Sequence, residues 1–214
     1  MWHKITIQQA QQIDKLRQSV KDQTEVDIDS ELLAIIENVP VSKIDSMAWL
    51  EFQEKRKSLV FLMTEPEYQP LQYITIGKKR YRFVYDIRQM PFARYVESKE
   101  FSKNFVGNLH RLAATMVIPQ KRNWYGKWVD AQYNADNHEQ YANDMLNAPY
   151  GQIYSSAVFF CNLYKAWITV LKDSMILEQQ SKGKTKEEAE KLVNDLCQYL
   201  DGIIQPNRLQ TITE

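Results

Sequence analysis

Apolar residues recur every three or four positions through most of this chain, which is the spacing of amphipathic helices. Most of these runs follow a residue suited to a helix start, and several are followed by proline or glycine. Asp136 with Glu139, and Thr185 with Glu188, have the three-residue spacing of a capping box. The pattern predicts helices that begin near Thr6, Ser30, Ser46, Pro91, Ser102, Asp136, Gly151 and Thr185.

The segment YITIGKKRYRFVYD, residues 73–86, departs from the helical period. Apolar and polar residues alternate on both sides of Gly77, which suits the backbone torsion of a tight turn. The alternation places four apolar side chains on one face of a β-hairpin: Ile74, Ile76, Tyr81 and Phe83. Four cations crowd the turn and form the predicted basic face: Lys78, Lys79, Arg80 and Arg82. Because a lone hairpin is marginal in water, we expect its apolar face to pack on helices of the same chain.

The predicted fold is therefore mainly α, a helical bundle-like domain with one short antiparallel β-hairpin. The proline-containing stretch EPEYQP, residues 65–70, interrupts the helices. We divide the chain into an N-terminal helical subdomain (1–64), a linker with the hairpin (65–90) and a main helical domain (91–214). The segment 119–135 has no clean period and is predicted to be the longest loop.

Composition narrows the classes of protein to consider. The 214 residues contain 27 basic and 27 acidic side chains, and this neutral balance argues against a dedicated duplex-DNA binder. Twelve tyrosines and five tryptophans are many, and such side chains either complete a core or anchor an interface. Cys161 and Cys197 have no metal-binding or redox spacing, so we interpret them as buried thiols in a reducing compartment.

Motifs that carry chemistry are missing from the sequence. No glycine-rich phosphate loop, nucleophile elbow or zinc-binding pair of histidines occurs, and the acidic run 22–31 lacks the glycine and the final glutamate of a calcium loop. That run is interpreted as a solvated linker. No membrane association is expected either, because Asn162 and Lys165 interrupt the most apolar helix. The sequence predicts no catalytic residue, no metal and no cofactor.

Two basic and aromatic stretches remain as candidate partner-binding sites. The first is the hairpin with its four cations, which suit an acidic partner or a phosphate backbone, or simply keep an exposed strand from aggregating. The second is the segment QKRNWYGKW, in which cations alternate with rings: Lys121, Arg122, Trp124, Tyr125 and Trp128. Such mixtures occur at protein-interface hot spots and on single-strand binders, and the neutral chain favours a protein partner.

Four segments carry a resemblance to a known group of proteins. They are WHKITIQQAQQI (2–13), YITIGKKRYRFVYDIRQMPFARYVESKEF (73–101), NLHRLAATMVIP (108–119) and NHEQYANDMLNAPYGQIYSSAVFF (137–160). In this order they resemble virion-morphogenesis proteins of tailed bacteriophages, especially phages of gut Bacteroidales. The resemblance implies a structural subunit of the neck or tail, or a tail-assembly protein, and it carries over no catalytic residue.

The resulting expectation is a non-enzymatic virion component, a neck, connector or tail-ring subunit that contacts other virion proteins and forms a homo-oligomeric ring. It would be located in the virion, and in the host cytoplasm during assembly. One alternative is a tail-assembly chaperone that the virion does not retain. A second alternative, of a different class, is a single-stranded nucleic-acid-binding module.

Overall fold

The computed structural model describes residues 1–19, 23–86, 97–98, 100–132 and 134–197. Within these residues, eight α-helices accompany one four-stranded antiparallel sheet. The helices are α1 Ile7–Ser19, α2 Glu25–Glu37, α3 Val41–Asp45, α4 Trp49–Lys57, α5 Leu109–Met116, α6 His138–Met145, α7 Tyr150–Ser181 and α8 Lys186–Cys197. Short 3-10 helices span Trp2–Lys4, Ser58–Met63, Ser102–Asn104 and Ala135–Asn137. The mainly α prediction is confirmed.

The sheet is larger than the single hairpin that we predicted. Its strands are β1 Tyr73–Ile76, β2 Lys79–Phe83, β3 Val117–Arg122 and β4 Trp128–Asp130, and they lie in sequential order. The predicted helix therefore ends at Met116 instead of Pro119, and the predicted loop 119–135 contains most of a second hairpin. Pro119 fits in β3 although it has no backbone N–H. Its carbonyl accepts a bond from Ala131 N–H (2.8 Å) just beyond the end of β4, where no ladder bond requires a proline N–H.

Two predicted helix starts are confirmed by their hydrogen bonds. The backbone N–H of Thr6 donates to Gln9 Oε1 (3.0 Å), and Gln9 N–H donates to Thr6 Oγ1 (3.2 Å). Thr185 and Glu188 exchange the equivalent pair at 3.1 and 3.3 Å. Each pair satisfies two N–H groups that a helix N-terminus leaves without partners.

At four other predicted starts, the residue that we expected to cap the helix does not do so. Helix α2 begins before Ser30, since Thr24 and Asp27 form a capping box there, so part of the predicted acidic linker is helical. Ser30 instead donates to Asp45 Oδ1 (2.7 Å). Ser46 ends α3, and Ser102 begins a 3-10 turn instead of α5. The helix predicted after Asp136 is present as α6 from His138, but Asp136 lies in the 3-10 turn before it and does not cap it. The start of the predicted helix near Pro91 lies outside the described residues, and the described positions 97–98 and 100–101 of that segment are helical.

One hydrophobic core joins the three segments into which we divided the chain. It includes Ile13 of α1, Tyr81 of β2, Leu112 of α5 and Phe160 of α7, all at most 1% exposed. Helix α7 buries one side of its first half in this core. Within the described residues, no helix is long and apolar enough to span a membrane. The division at residues 64 and 90 stays a prediction about independent folding.

Backbone hydrogen bonds join the chain start to the N-terminus of α7. Ile7 N–H donates to Ala148 O (3.0 Å), and Tyr150 N–H donates to Ile5 O (2.7 Å). The Trp2 indole N–H donates to Thr64 O (2.9 Å), and its ring packs edge-on against Phe61 with 5.0 Å between centroids. These contacts bury an aromatic side chain whose only polar group has a partner.

Two tyrosines allow a matched test of how much a hydrogen bond from a tyrosine hydroxyl contributes to stability. The Tyr85 hydroxyl donates to Leu71 O (2.7 Å), whereas the buried Tyr150 hydroxyl has no hydrogen-bond partner in the described structure. We expect Tyr85→Phe to lower the free energy of unfolding by about 1 kcal/mol, because a hydrogen bond is lost. Tyr150→Phe should change it by less than about 0.5 kcal/mol or raise it. Urea unfolding of both variants measures the difference, and equal losses would contradict the interpretation.

Candidate interaction surface on the outer face of the sheet

Register and alternation assign every strand residue to one of two faces. Ile74 lies opposite Tyr81, and Phe83 lies opposite Val117; all four are buried in the core. Their neighbours point the other way, since successive side chains of a strand alternate. We call this second side the outer sheet face, and its polar and aromatic members are Tyr73, Thr75, Arg80, Arg82, Gln120, Arg122, Trp128 and Asp130.

The two arginines Arg80 and Arg122 are held by aromatic rings. The Arg80 guanidinium lies 4.6 Å from the centroid of the Tyr73 ring and 5.4 Å from that of the Trp128 ring. The Arg122 guanidinium lies 5.1 Å from the Trp128 ring centroid. Each contact places a cation against the negative face of a ring, which stabilises it without using its N–H groups. Within the described residues, neither guanidinium donates a side-chain hydrogen bond.

Arg82 has a different role, because its charge is already neutralised. Its Nε lies 3.0 Å from both carboxylate oxygens of Asp130, and its Nη2 lies 2.6 Å from Oδ2. These hydrogen bonds lower the pKa of Asp130, and the same contact raises the pKa of Arg82. Gln120 Nε2 adds a third donor to the carboxylate at 3.1 Å. The pair joins β2 to β4 across the central strand β3.

The prediction that four cations share one basic face is wrong. Lys79 lies opposite Ile76, on the same side as buried Tyr81, and its ammonium contacts Asp144 of α6 (2.7 Å). The Tyr81 hydroxyl also donates to Asp144; burial, followed by this bond, raises the pKa of Tyr81. Lys78 lies in the turn between the strands. Of the four cations, only Arg80 and Arg82 share the outer sheet face, and Arg122 of β3 joins them.

The segment between β3 and β4 is an ordered turn that we call the hairpin tip, residues 123–127. The Asn123 side-chain oxygen accepts bonds from the N–H groups of Tyr125 (3.0 Å) and Lys127 (2.9 Å). Gly126 has φ +76°, a left-handed conformation that glycine adopts without strain. The tip displays Trp124, which is 83% exposed, and Tyr125, which is 67% exposed. The pattern NWYGK, a glycine shortly after a basic strand, was the available signal for this turn.

The sequence-predicted residues thus form two adjoining surfaces instead of two separate stretches. Trp128 and Arg122 belong to the outer sheet face with Arg80 and Arg82, while Trp124 and Tyr125 form the tip. Tyr73 and Asp130 complete the outer face, and sequence reasoning missed both. Strand alternation assigns Tyr73 to this face once the position of β1 is known. Asp130 can be assigned to it only when the position of β4 is also known.

Cys161, His110 and His138 pack against neighbouring residues inside the fold. Burial raises the pKa of the Cys161 thiol to about 12, so this cysteine stays protonated and unreactive at neutral pH. His110 Nδ1 lies 2.9 Å from Gln11 Nε2, and burial lowers the pKa of this histidine. His138 begins α6 and stacks on Phe101 with 5.7 Å between ring centroids. In the part of the chain that the structure describes, no group of three His, Cys, Asp or Glu residues could hold a metal ion.

No known family model matches the chain, and no curated protein or solved structure is significantly similar to it. The surfaces described above therefore carry the functional argument.

The contribution of the Arg82–Asp130 pair to the stability of the fold depends on pH. Its lowered carboxyl pKa means that the pair stabilises the fold above the ordinary aspartate pKa, about 3.9, and that this contribution disappears as the pH falls through the lowered value. Asp130→Asn should cost up to about 1 kcal/mol at pH 7, the usual limit for an exposed pair, and progressively less below pH ~4. Urea unfolding at several pH values measures this.

Asp136→Asn is the control, because Asp136 is an exposed carboxylate with no ion pair in the described residues. Equal stability losses for Asp130→Asn at low and neutral pH would show that its effect is not electrostatic.

Proposed function

We propose that this chain is a non-enzymatic structural subunit of a tailed-phage particle, in the neck, connector or tail ring, that works through protein interfaces. The observation that carries the interface part of the proposal is the packing of half-buried Arg80 and exposed Arg122 against Tyr73 and Trp128 on the outer sheet face. The phage part is supported by the order of the four resembling segments, and the particle is the proposed location.

The outer sheet face has the chemistry of an interface anchor. Tyr, Trp and Arg are the residues most enriched at binding hot spots. Here they are held on a sheet whose opposite face is buried, so little side-chain entropy remains to be lost when a partner binds. A partner that presents carboxylates would bond to the free N–H edges of Arg80 and Arg122.

Wild-type particles should retain the chain as a stoichiometric component, which mass spectrometry of purified particles measures. Arg80→Ala/Arg122→Ala should reduce its incorporation at least tenfold, the loss expected when two interface anchors are removed. Lys43→Ala, a change at an exposed cation of α3, is the control and should leave incorporation unchanged. Detection only in infected-cell lysate, with none in particles, would reject the structural role and support the tail-assembly chaperone.

A second candidate function is single-stranded nucleic-acid binding. It is favoured by the exposed rings of Tyr73, Trp124 and Tyr125 beside arginines, since bases stack on such rings while cations contact phosphates. The neutral net charge and the Asp130 carboxylate within the surface weigh against it.

Fluorescence anisotropy with a labelled oligonucleotide distinguishes the two functions. If the protein partner is correct, the chain should show no saturable binding at low salt. Salt-sensitive binding that Arg80→Ala/Arg122→Ala abolishes would instead establish the nucleic-acid function.

A further inference from the structure

A groove of about 950 Å³ runs between the extended segment 65–70 and helix α7. Ser155 and Ser156 fasten that segment to the helix: Ser155 Oγ accepts from Tyr68 N–H (3.2 Å), and Ser156 Oγ accepts from Leu71 N–H (3.0 Å). Gly151 leaves room for the Tyr68 ring, since a Cβ there would lie 2.6 Å from it. The groove is therefore built by specific contacts and is not a gap between loose segments.

The groove is acidic and aromatic. Its described lining includes two carboxylates and no lysine or arginine. The residues that give it this character are Glu65, Glu67, Tyr68, Tyr154 and Phe159. Such a site suits an inserted segment that has rings at its end and positive charge around them.

The hairpin tip of the same chain has that complementary chemistry. Trp124 and Tyr125 are exposed on an ordered turn, and Lys121, Arg122 and Lys127 flank them in the sequence. Two such aromatic side chains bury roughly 300–500 Å² when covered. The tip also needs little ordering on binding, because Asn123 already fixes its backbone.

Topology keeps the two surfaces of one molecule apart. Residues 65–70 lead directly into β1, which is one edge strand, whereas the tip joins β3 to β4 at the other edge. Adjacent strands lie about 4.8 Å apart, so roughly 14 Å of sheet separates the edge strands. A tip at one edge and a groove at the other form a head-to-tail contact between copies, which generates a ring or an open filament.

We propose that the occupant of the groove is the hairpin tip of a second copy of this chain. This inference deepens the proposed ring subunit by naming the self-contact, and it rests on that proposed function. Trp124 and Tyr125 insert between segment 65–70 and α7, and Lys127 of the inserted tip faces Glu67.

Charge reversal tests this contact in the full-length chain. Sedimentation velocity should show concentration-dependent self-association of the wild type. Lys127→Glu alone and Glu67→Lys alone should each weaken association about tenfold, because each places like charges across the contact. Trp124→Ala should weaken it at least as much, by removing the ring anchor. The matched control Lys43→Glu makes the same charge change on α3 and should have no effect.

Mixing the two reversed variants makes the test decisive. An equimolar mixture of Lys127→Glu and Glu67→Lys should recover wild-type association, because every contact in an alternating assembly then joins opposite charges. Circular dichroism melting curves check that each variant is folded. Failure of the mixture to recover, or association unaffected by either reversal, would overturn the tip-in-groove contact.

The outcome also separates this inference from the proposed function. A wild-type chain that is monomeric at all concentrations would overturn the self-contact, yet particle incorporation would still be decided by mass spectrometry and Arg80→Ala/Arg122→Ala. Loss of incorporation in that arginine variant with unchanged self-association would show that the outer sheet face and the groove bind different partners.

Discussion

Burial of Tyr81 is the constraint on which the outer surface depends. This side chain is 1% exposed, packs edge-on against Tyr141 and donates its hydroxyl to Asp144, so β2 is fastened to helix α6. A shift of one residue in register would exchange the two faces of the strand. Fixing Tyr81 inward therefore directs Arg80 and Arg82 outward.

The same arrangement separates the cations of the hairpins into two kinds. Lys79 and Arg82 are neutralised within the fold by Asp144 and Asp130, and such exposed pairs contribute at most about 1 kcal/mol each. Arg80 and Arg122 contact rings instead and keep their donors available. The first kind holds strands to one another and to α6, whereas the second suits recognition.

Aromatic residues serve both the interior and the surface, which accounts for their abundance. Tyr81, Tyr150 and Tyr164 are buried, and the Trp2 ring packs against Phe61 and against Tyr150 of α7. Trp124 and Tyr125 are exposed on a turn that Asn123 and Gly126 define. Composition alone could not divide these roles, since the same side chain suits an apolar core and a wet interface.

Local sequence determined what depends on local spacing: the mainly helical content, the capping pairs at Thr6 and Thr185, and the first hairpin with its inward face. Tertiary structure decided what depends on distant partners. Val117–Arg122 is a strand because β2 and β4 supply its hydrogen bonds. Lys79 does not belong to the basic face, because it lies on the side of the sheet that faces α6, where its ammonium contacts Asp144. A strand at a sheet centre and an ion pair across 65 residues carry no signal in a short window, because their stabilising contacts form only after the chain has folded.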